Sequence, residues 1–343
     1  MNRQNRHDPQ RPARCGSDRQ RPAAGDPRHR PERAPFPWFG GKAGVAWAVW
    51  QALGDPQVYI EPFFGSGAAL LARPAVDGPR REIANDADGF VANYWRSTQR
   101  HPDRVANYAD WPSSELDLCA RHRWLNDRAG KRRFLERMRR DPHHCDARRA
   151  GWWVWGVSNW VGAGFVADRI SDSNHKKPRL NPNGVASFTR RERIAECMGS
   201  LSARLRHAII CCGDWRRAFM RSDLYGTRSL GIFLDPPYDH GVGRDTNCYA
   251  VEMADTSAVG EFCRQHGRRR NIRIVLAGFE GEYDLPGWRV VGWRRAKSYA
   301  KREQARANLS RERLWLSPHC APVELPPGDR YWWVRGGRRA VSG

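Results

Sequence analysis

The chain has 343 residues, with 59 lysines and arginines against 37 aspartates and glutamates, for a formal net charge of +22. That length suffices for one large or two modest domains with a real core. The charge points to a polyanionic partner. The want of a long apolar run or secretory segment argues against a membrane-spanning or exported chain, so the expected location is the cytoplasm.

Nine cysteines show no framework spacing, which fits a reducing compartment. Cys119 and His122, with His143, His144 and Cys145, lack a second clean ligand pair, so no metal is expected. The basic residues include only six lysines, Lys42, Lys131, Lys176, Lys177, Lys297 and Lys301. Arginine's planar fork suits phosphate and guanine, although a G+C-rich coding sequence gives the same bias.

In chain order, residues 1–34 are basic and polar with almost nothing apolar. They are expected as a disordered arm, passive or lying on a DNA backbone. A helix is predicted over 43–53, stopped by Gly54-Asp55-Pro56. A buried strand follows at 58–61 and runs into Pro62-Phe63-Phe64-Gly65-Ser66-Gly67, where a second helix opens. Residues 82–84 form the next strand, ending at Asn85-Asp86, and 88–100 the next helix. This alternation predicts a parallel sheet.

From 102 to 200 the alternation breaks. Two Arg-rich helices are predicted at 114–126 and 131–140, then a block with Trp152, Trp153, Trp155 and Trp160, then a polar loop over 171–187. The region reads as an inserted, mostly helical lobe between two parts of a catalytic domain, 35–101 and 201–318. Strands resume at 208–212, 230–234 and 272–279, with a helix at 256–265. Residues 288–293 and 313–316 look like a closing antiparallel pair, and 319–343 a surface tail.

The sharpest signal is Phe233-Leu234-Asp235-Pro236-Pro237-Tyr238. Two consecutive prolines stop the ladder and stiffen the turn. They leave a carboxylate, a fixed carbonyl and an aromatic face at the carboxyl end of a buried strand, where open α/β sheets bind ligands. Such a corner can grip a planar base by its amino group. The glycines at 65 and 67 permit positive φ and close approach of a ligand, although alone they also fit a bland turn. Asp86, about twenty residues on, stands where an acid takes ribose hydroxyls; a helix N-cap is the alternative. Asp214 and Trp215 close a later strand and could hold and cover an adenine ring; a cap with a core tryptophan is the alternative. Lys42 follows two glycines, but the phosphate-binding Gly-x-x-x-x-Gly-Lys-Ser/Thr pattern is absent. Arg121, Arg123, Arg132, Arg133, Arg139, Arg140, Lys176, Lys177 and Arg179 are candidates for phosphate contacts, against solvated faces.

Taken together, Trp38-Phe39-Gly40-Gly41-Lys42, then Glu61 to Gly67, then Asn85-Asp86, then Asp235-Pro236-Pro237-Tyr238 resemble, in that order, the Dam-type DNA adenine-N6 methyltransferases. The segment with Glu312-Arg313-Leu314-Trp315-Leu316 is similar to that family's closing strand. The resemblance covers about 34–101 and 207–318. It implies a Rossmann-like α/β sheet that uses S-adenosyl-L-methionine and double-stranded DNA. Carried over, Trp38 and Lys42 contact the cofactor region, Phe64, Gly65 and Gly67 shape its methionine end, and Asp86 takes its ribose. Asp214, Trp215 and Asp235 border the cofactor, while Asp235, Pro236, Pro237 and Tyr238 form the catalytic corner.

One part departs from the pattern. Residues 153–165 replace the Asn-Arg-x-x-Phe-Asn-Gly-like stretch usual in that family, so no target site can be assigned. The tryptophans there could wedge into DNA or be core. Rival readings are an RNA adenine or cytosine-N4 enzyme, or an inactive DNA-binding protein of the same fold. Cytosine-N4 enzymes usually carry Ser in place of Asp235, so the acid favours adenine.

Overall fold

The computed structural model describes residues 32–38, 40–74, 80–160, 165–166, 184–189, 191–221, 226, 228–237, 257–293, 311–325 and 332–336. Tyr238, Lys176, Lys177 and Arg179 lie outside them, as does the expected basic arm up to residue 31.

Among the described residues a mixed eight-stranded sheet carries the fold. Its strands are β1 (Val58–Glu61), β2 (Arg81–Asp86), β3 (Ile209–Cys212), β4 (Leu230–Leu234), β5 (Ile272–Phe279), β6 (Arg289–Trp293), β7 (Glu312–Leu316) and β8 (Trp332–Arg335), in spatial order β3-β2-β1-β4-β5-β7-β6-β8. The four pairings from β3 through β5 are parallel, and the three beyond β5 antiparallel. β4, and β1 up to its last residue Glu61, read as apolar runs because both faces of a parallel strand are covered. Along them, side chains alternate between faces. Tyr59, Phe233, Val275 and Ala277 join one apolar cluster, while Val58, Ile60, Ile232, Leu234, Ile274 and Leu276 join the other.

Among the described residues, helices α1 (Ala46–Leu53), α2 (Ala68–Leu71) and α3 (Gly89–Arg100) alternate with the first strands. Between α3 and β3 run α4 (Pro102–Ala109), α5 (Glu115–Leu125), α6 (Arg128–Arg140), α7 (Ala147–Asn159) and α8 (Arg191–Leu205); α9 (Ser257–His266) lies between β4 and β5. α4 packs on α7 and on α8, and all three pack on α3. They share the larger apolar cluster with the sheet. Trp153 and Trp155 are 2% and 1% exposed within it, so these two are core. Their run lacks helical periodicity because α7 is buried on several sides.

Local chemistry fixes these helices. Asp88, Ser114, Asp127 and Asp146 cap α3, α5, α6 and α7 through side-chain acceptors. Asn93 ties α3 to the start of α7, accepting from Asp146 N at 2.7 Å and donating to Asp146 O at 2.9 Å. Arg96, 3% exposed, donates to the carbonyls of Ile210 and Met138 at 3.0 and 3.1 Å, joining α3 to β3 and α6.

The predicted closing pair is present as β6 and β7. The tail differs from expectation, since 332–335 adds β8 beside β6. Trp332 stacks on Trp293 and meets Trp47 edge-on, so apolar contact holds this strand to the sheet.

The strand order reverses at β1 and β4: β2 and β3 spread to one side, β5 to the other. That is the switch point, where a crevice opens outside the carboxyl ends.

Candidate active site at the carboxyl edge of the sheet

The chain turns sharply after β1. Phe64 N donates to Asn85 O at 2.9 Å, and Gly67 N to Phe64 O at 2.7 Å. Gly65 and Gly67 have φ of 47° and 63°, a region L side chains rarely adopt. A Cβ on Gly65 would stand 2.5 Å from Trp38 Nε1, and one on Gly67 2.7 Å from Phe64 Cζ. Trp95 on α3 holds the bend from below, its indole N–H donating to Gly65 O at 2.8 Å.

Asp86 ends β2 directly beside this bend. Its two carboxylate oxygens accept from Gly65 N and Asp88 N, each at 2.8 Å. Asp88, not Asp86, is the N-cap of α3. Burial pushes the Asp86 carboxyl up to about 7, helped by the nearby Asp88 charge. Asn85 is fully buried and donates to Pro62 O and Gly213 O at 3.1 and 3.0 Å. It thereby pins together the turns after β1, β2 and β3.

Glu61, the last residue of β1, is 2% exposed and lines the crevice. One of its oxygens accepts from Tyr59 Oη at 2.9 Å and Leu70 N at 3.0 Å. Burial raises its pKa to about 8 despite these bonds. It is absent from the candidate residues chosen from sequence, although its place at a strand end before the glycines was a usable signal.

Across β1, Asp235 follows β4. Lys42 Nζ lies 2.9 Å from Asp235 Oδ1 and donates to Gly40 O at 2.7 Å. The lysine is only 5% exposed. A buried ammonium needs such partners. Pro236 is buried and Pro237 borders the crevice.

After β3, Gly213 N donates to Asp86 O at 2.9 Å. Asp214 accepts from Arg216 N at 2.9 Å, so it caps the short 3₁₀ turn Trp215–Arg221. Trp215 is 6% exposed, stacked on Phe63 and packed edge-on against Phe219 and Phe262. The cap and core alternatives are thus both visible, yet both residues also line the crevice.

One cavity of about 600 Å³ unites these groups. Trp38, Lys42, Glu61, Phe64, Gly65, Asp86, Asp214, Trp215, Asp235 and Pro237 all line it; Gly67 and Pro236, also expected at the site, are not among its lining residues. Buried carboxylates, a cradle with no room for a Cβ and two aromatic rings suit a ligand with hydroxyls and a planar ring.

The arginine candidates separate by burial. Arg123, Arg132, Arg133, Arg139 and Arg140 are exposed, and Arg139 also lines the crevice. Arg121 is 7% exposed, its guanidinium 4.2 Å from the Trp155 ring centroid and 5.2 Å from those of Trp111 and Trp152. It serves the core of the helical region as a cation–π centre. Among the described residues no metal-binding group of three or more side chains occurs, and no helix is long and apolar enough to cross a membrane.

Fold and site together define a mixed α/β protein with a ligand crevice at its switch point, compatible with a methyltransferase fold. No family model matches the chain. It is similar to a particular protein, the DNA N-6-adenine-methyltransferase of Escherichia phage P1, with 24% identity over 219 residues, or 61% of this chain. The match takes in 24% of that protein, so the chain spans about a quarter of its relative's length.

Proposed function

We propose that the chain is a DNA adenine-N6 methyltransferase using S-adenosyl-L-methionine. The observation that carries this reading is the single cavity shared by the Gly65–Gly67 bend, Asp86 and Asp235. The distant likeness to the phage P1 enzyme supports it.

The lining residues fit that donor. The bend would take its methionine end, Asp86 its ribose, and Phe63, Asp214 and Trp215 its adenine. When bound, the donor supplies an electrophilic methyl on a sulfonium. The rest belongs to this chain's own groups. An exocyclic amine is a poor nucleophile because its lone pair is delocalised into the ring. Asp235 and the Pro236 carbonyl each accept one N–H of that amine, which localises the lone pair and stabilises charge developing on nitrogen. Lys42 orients Asp235 through their ion pair. The base leaves the duplex, and stacking on Tyr238 offsets part of the cost. Holding amine and methyl in line adds an entropic gain.

Arg132, Arg133, Arg139 and Arg140 on α6, with Lys176, Lys177 and Arg179, would grip phosphates of double-stranded DNA. Residues 102–200 would then be the target-recognition lobe inserted in a catalytic domain of 35–101 and 201–318. Transfer of a labelled methyl group to duplex DNA tests the proposal. Label should reach adenine with the wild-type chain and not with Asp235→Ala. DNA binding without transfer would favour the inactive DNA-binding alternative.

A further inference from the structure

Glu312 is a buried charge at this edge without a role so far. It opens β7, which runs antiparallel to β5, so it stands opposite Phe279 at the carboxyl edge. It is 5% exposed, and its Oε1 is 4.0 Å from Lys42 Nζ. Because Lys42 Nζ is 2.9 Å from Asp235 Oδ1 and 4.0 Å from Glu312 Oε1, the two carboxylate oxygens are no more than about 7 Å apart. One ammonium, 5% exposed, therefore stands between two acids.

A charge problem follows from the proposed reaction. An amine turning cationic at Asp235 would approach Lys42, a cation bonded to the same carboxylate. Lys42 with Asp235 alone is a neutral pair, a poor stabiliser of new positive charge. Glu61 and Tyr283 also act electrostatically with Asp235. Glu61, with its pKa near 8, is mostly protonated at neutral pH. Burial raises the Tyr283 phenol above its ordinary value, so it too is neutral. Glu312, ion-paired to Lys42 from β7, can restore a net negative corner.

We propose that Glu312 is a positioning residue: it holds Lys42 from the side of β7 and balances its charge, so that Asp235 faces the target amine with a net negative field. The inference rests on the methyltransferase reading above. It assigns the late Glu312-Arg313-Leu314-Trp315-Leu316 segment a part in catalysis besides closing the sheet.

Glu312→Gln tests it, since the amide keeps the shape and removes the charge. At an effective dielectric near 20, loss of a unit charge within about 7 Å of the Asp235 carboxylate should slow kcat by on the order of ten- to a hundred-fold. KM for donor and DNA should stay near wild type. Glu312→Asp should recover part of kcat, and thermal unfolding curves check that both variants fold. A purely structural role would lower Tm and raise KM along with the loss of kcat, with no recovery in Glu312→Asp, which would overturn the proposal. So would wild-type kcat in Glu312→Gln. A wild-type chain with no methyl transfer would overturn the functional reading and this inference with it.

Discussion

At the scale of single residues, the site depends on groups held under unfavourable conditions. Glu61 and Asp86 are carboxyls buried enough to raise their pKa values to about 8 and about 7, from 4.5 and 3.8. In each case the folded state binds protons that the unfolded state has released. Stability contributed by the protonated folded form is therefore greatest at low pH and is lost as pH rises toward the folded pKa. Denaturant unfolding should show stability falling from about pH 5 to 8, with a shallower fall in Glu61→Gln. Gly65 carries strain of another kind. Gly65→Ala meets both the positive φ and the Trp38 indole, and should cost on the order of 1–3 kcal/mol in denaturant melts. Donor affinity should drop with it.

The same scale divides what sequence can disclose. Gly65, Gly67, Asp235 and the two prolines announce themselves because backbone geometry demands those residue types locally. The Lys42–Asp235 and Lys42–Glu312 pairs join distant parts of the chain, and nothing local marks them. Glu61 was in view but reads as a strand residue until its burial is known.

Among elements, β1, β4 and β5 were legible because doubly covered strands are mostly apolar. α7 was not, because burial on several sides erases its period, and β8 was not, because Trp332-Trp333-Val334-Arg335 lacks alternation. α3 matters most to the site. It sets Trp95 under the glycine bend, and through Arg96 it ties α6 and β3 to the sheet. Arg96→Leu leaves buried carbonyls at Ile210 and Met138 unpaired and should destabilise by on the order of 2–3 kcal/mol. Thermal melts would register that loss, whereas an unchanged Tm would mean that α6 is anchored by other interactions.

For the whole molecule, the excess of positive charge is where composition and structure must be separated. Arg132 and Arg133 are exposed on α6, and Arg121 is enclosed by tryptophans. Arg132→Glu with Arg133→Glu should weaken duplex binding and reduce the slope of log affinity against log salt by about one for each phosphate no longer neutralised. Arg121→Ala should lower Tm and leave that slope nearly unchanged. Titrations by fluorescence anisotropy at several salt concentrations would distinguish the two; equal slopes for all three proteins would remove α6 from the DNA interface.

The central claim is that Asp235 and the glycine bend work on one base in one cavity. Nucleoside mass spectrometry of duplex DNA incubated with the protein and S-adenosyl-L-methionine tests it most directly. The account predicts N6-methyladenine with the wild-type chain and none with Asp235→Ala. N4-methylcytosine in its place, or N6-methyladenine persisting in the mutant, would contradict it.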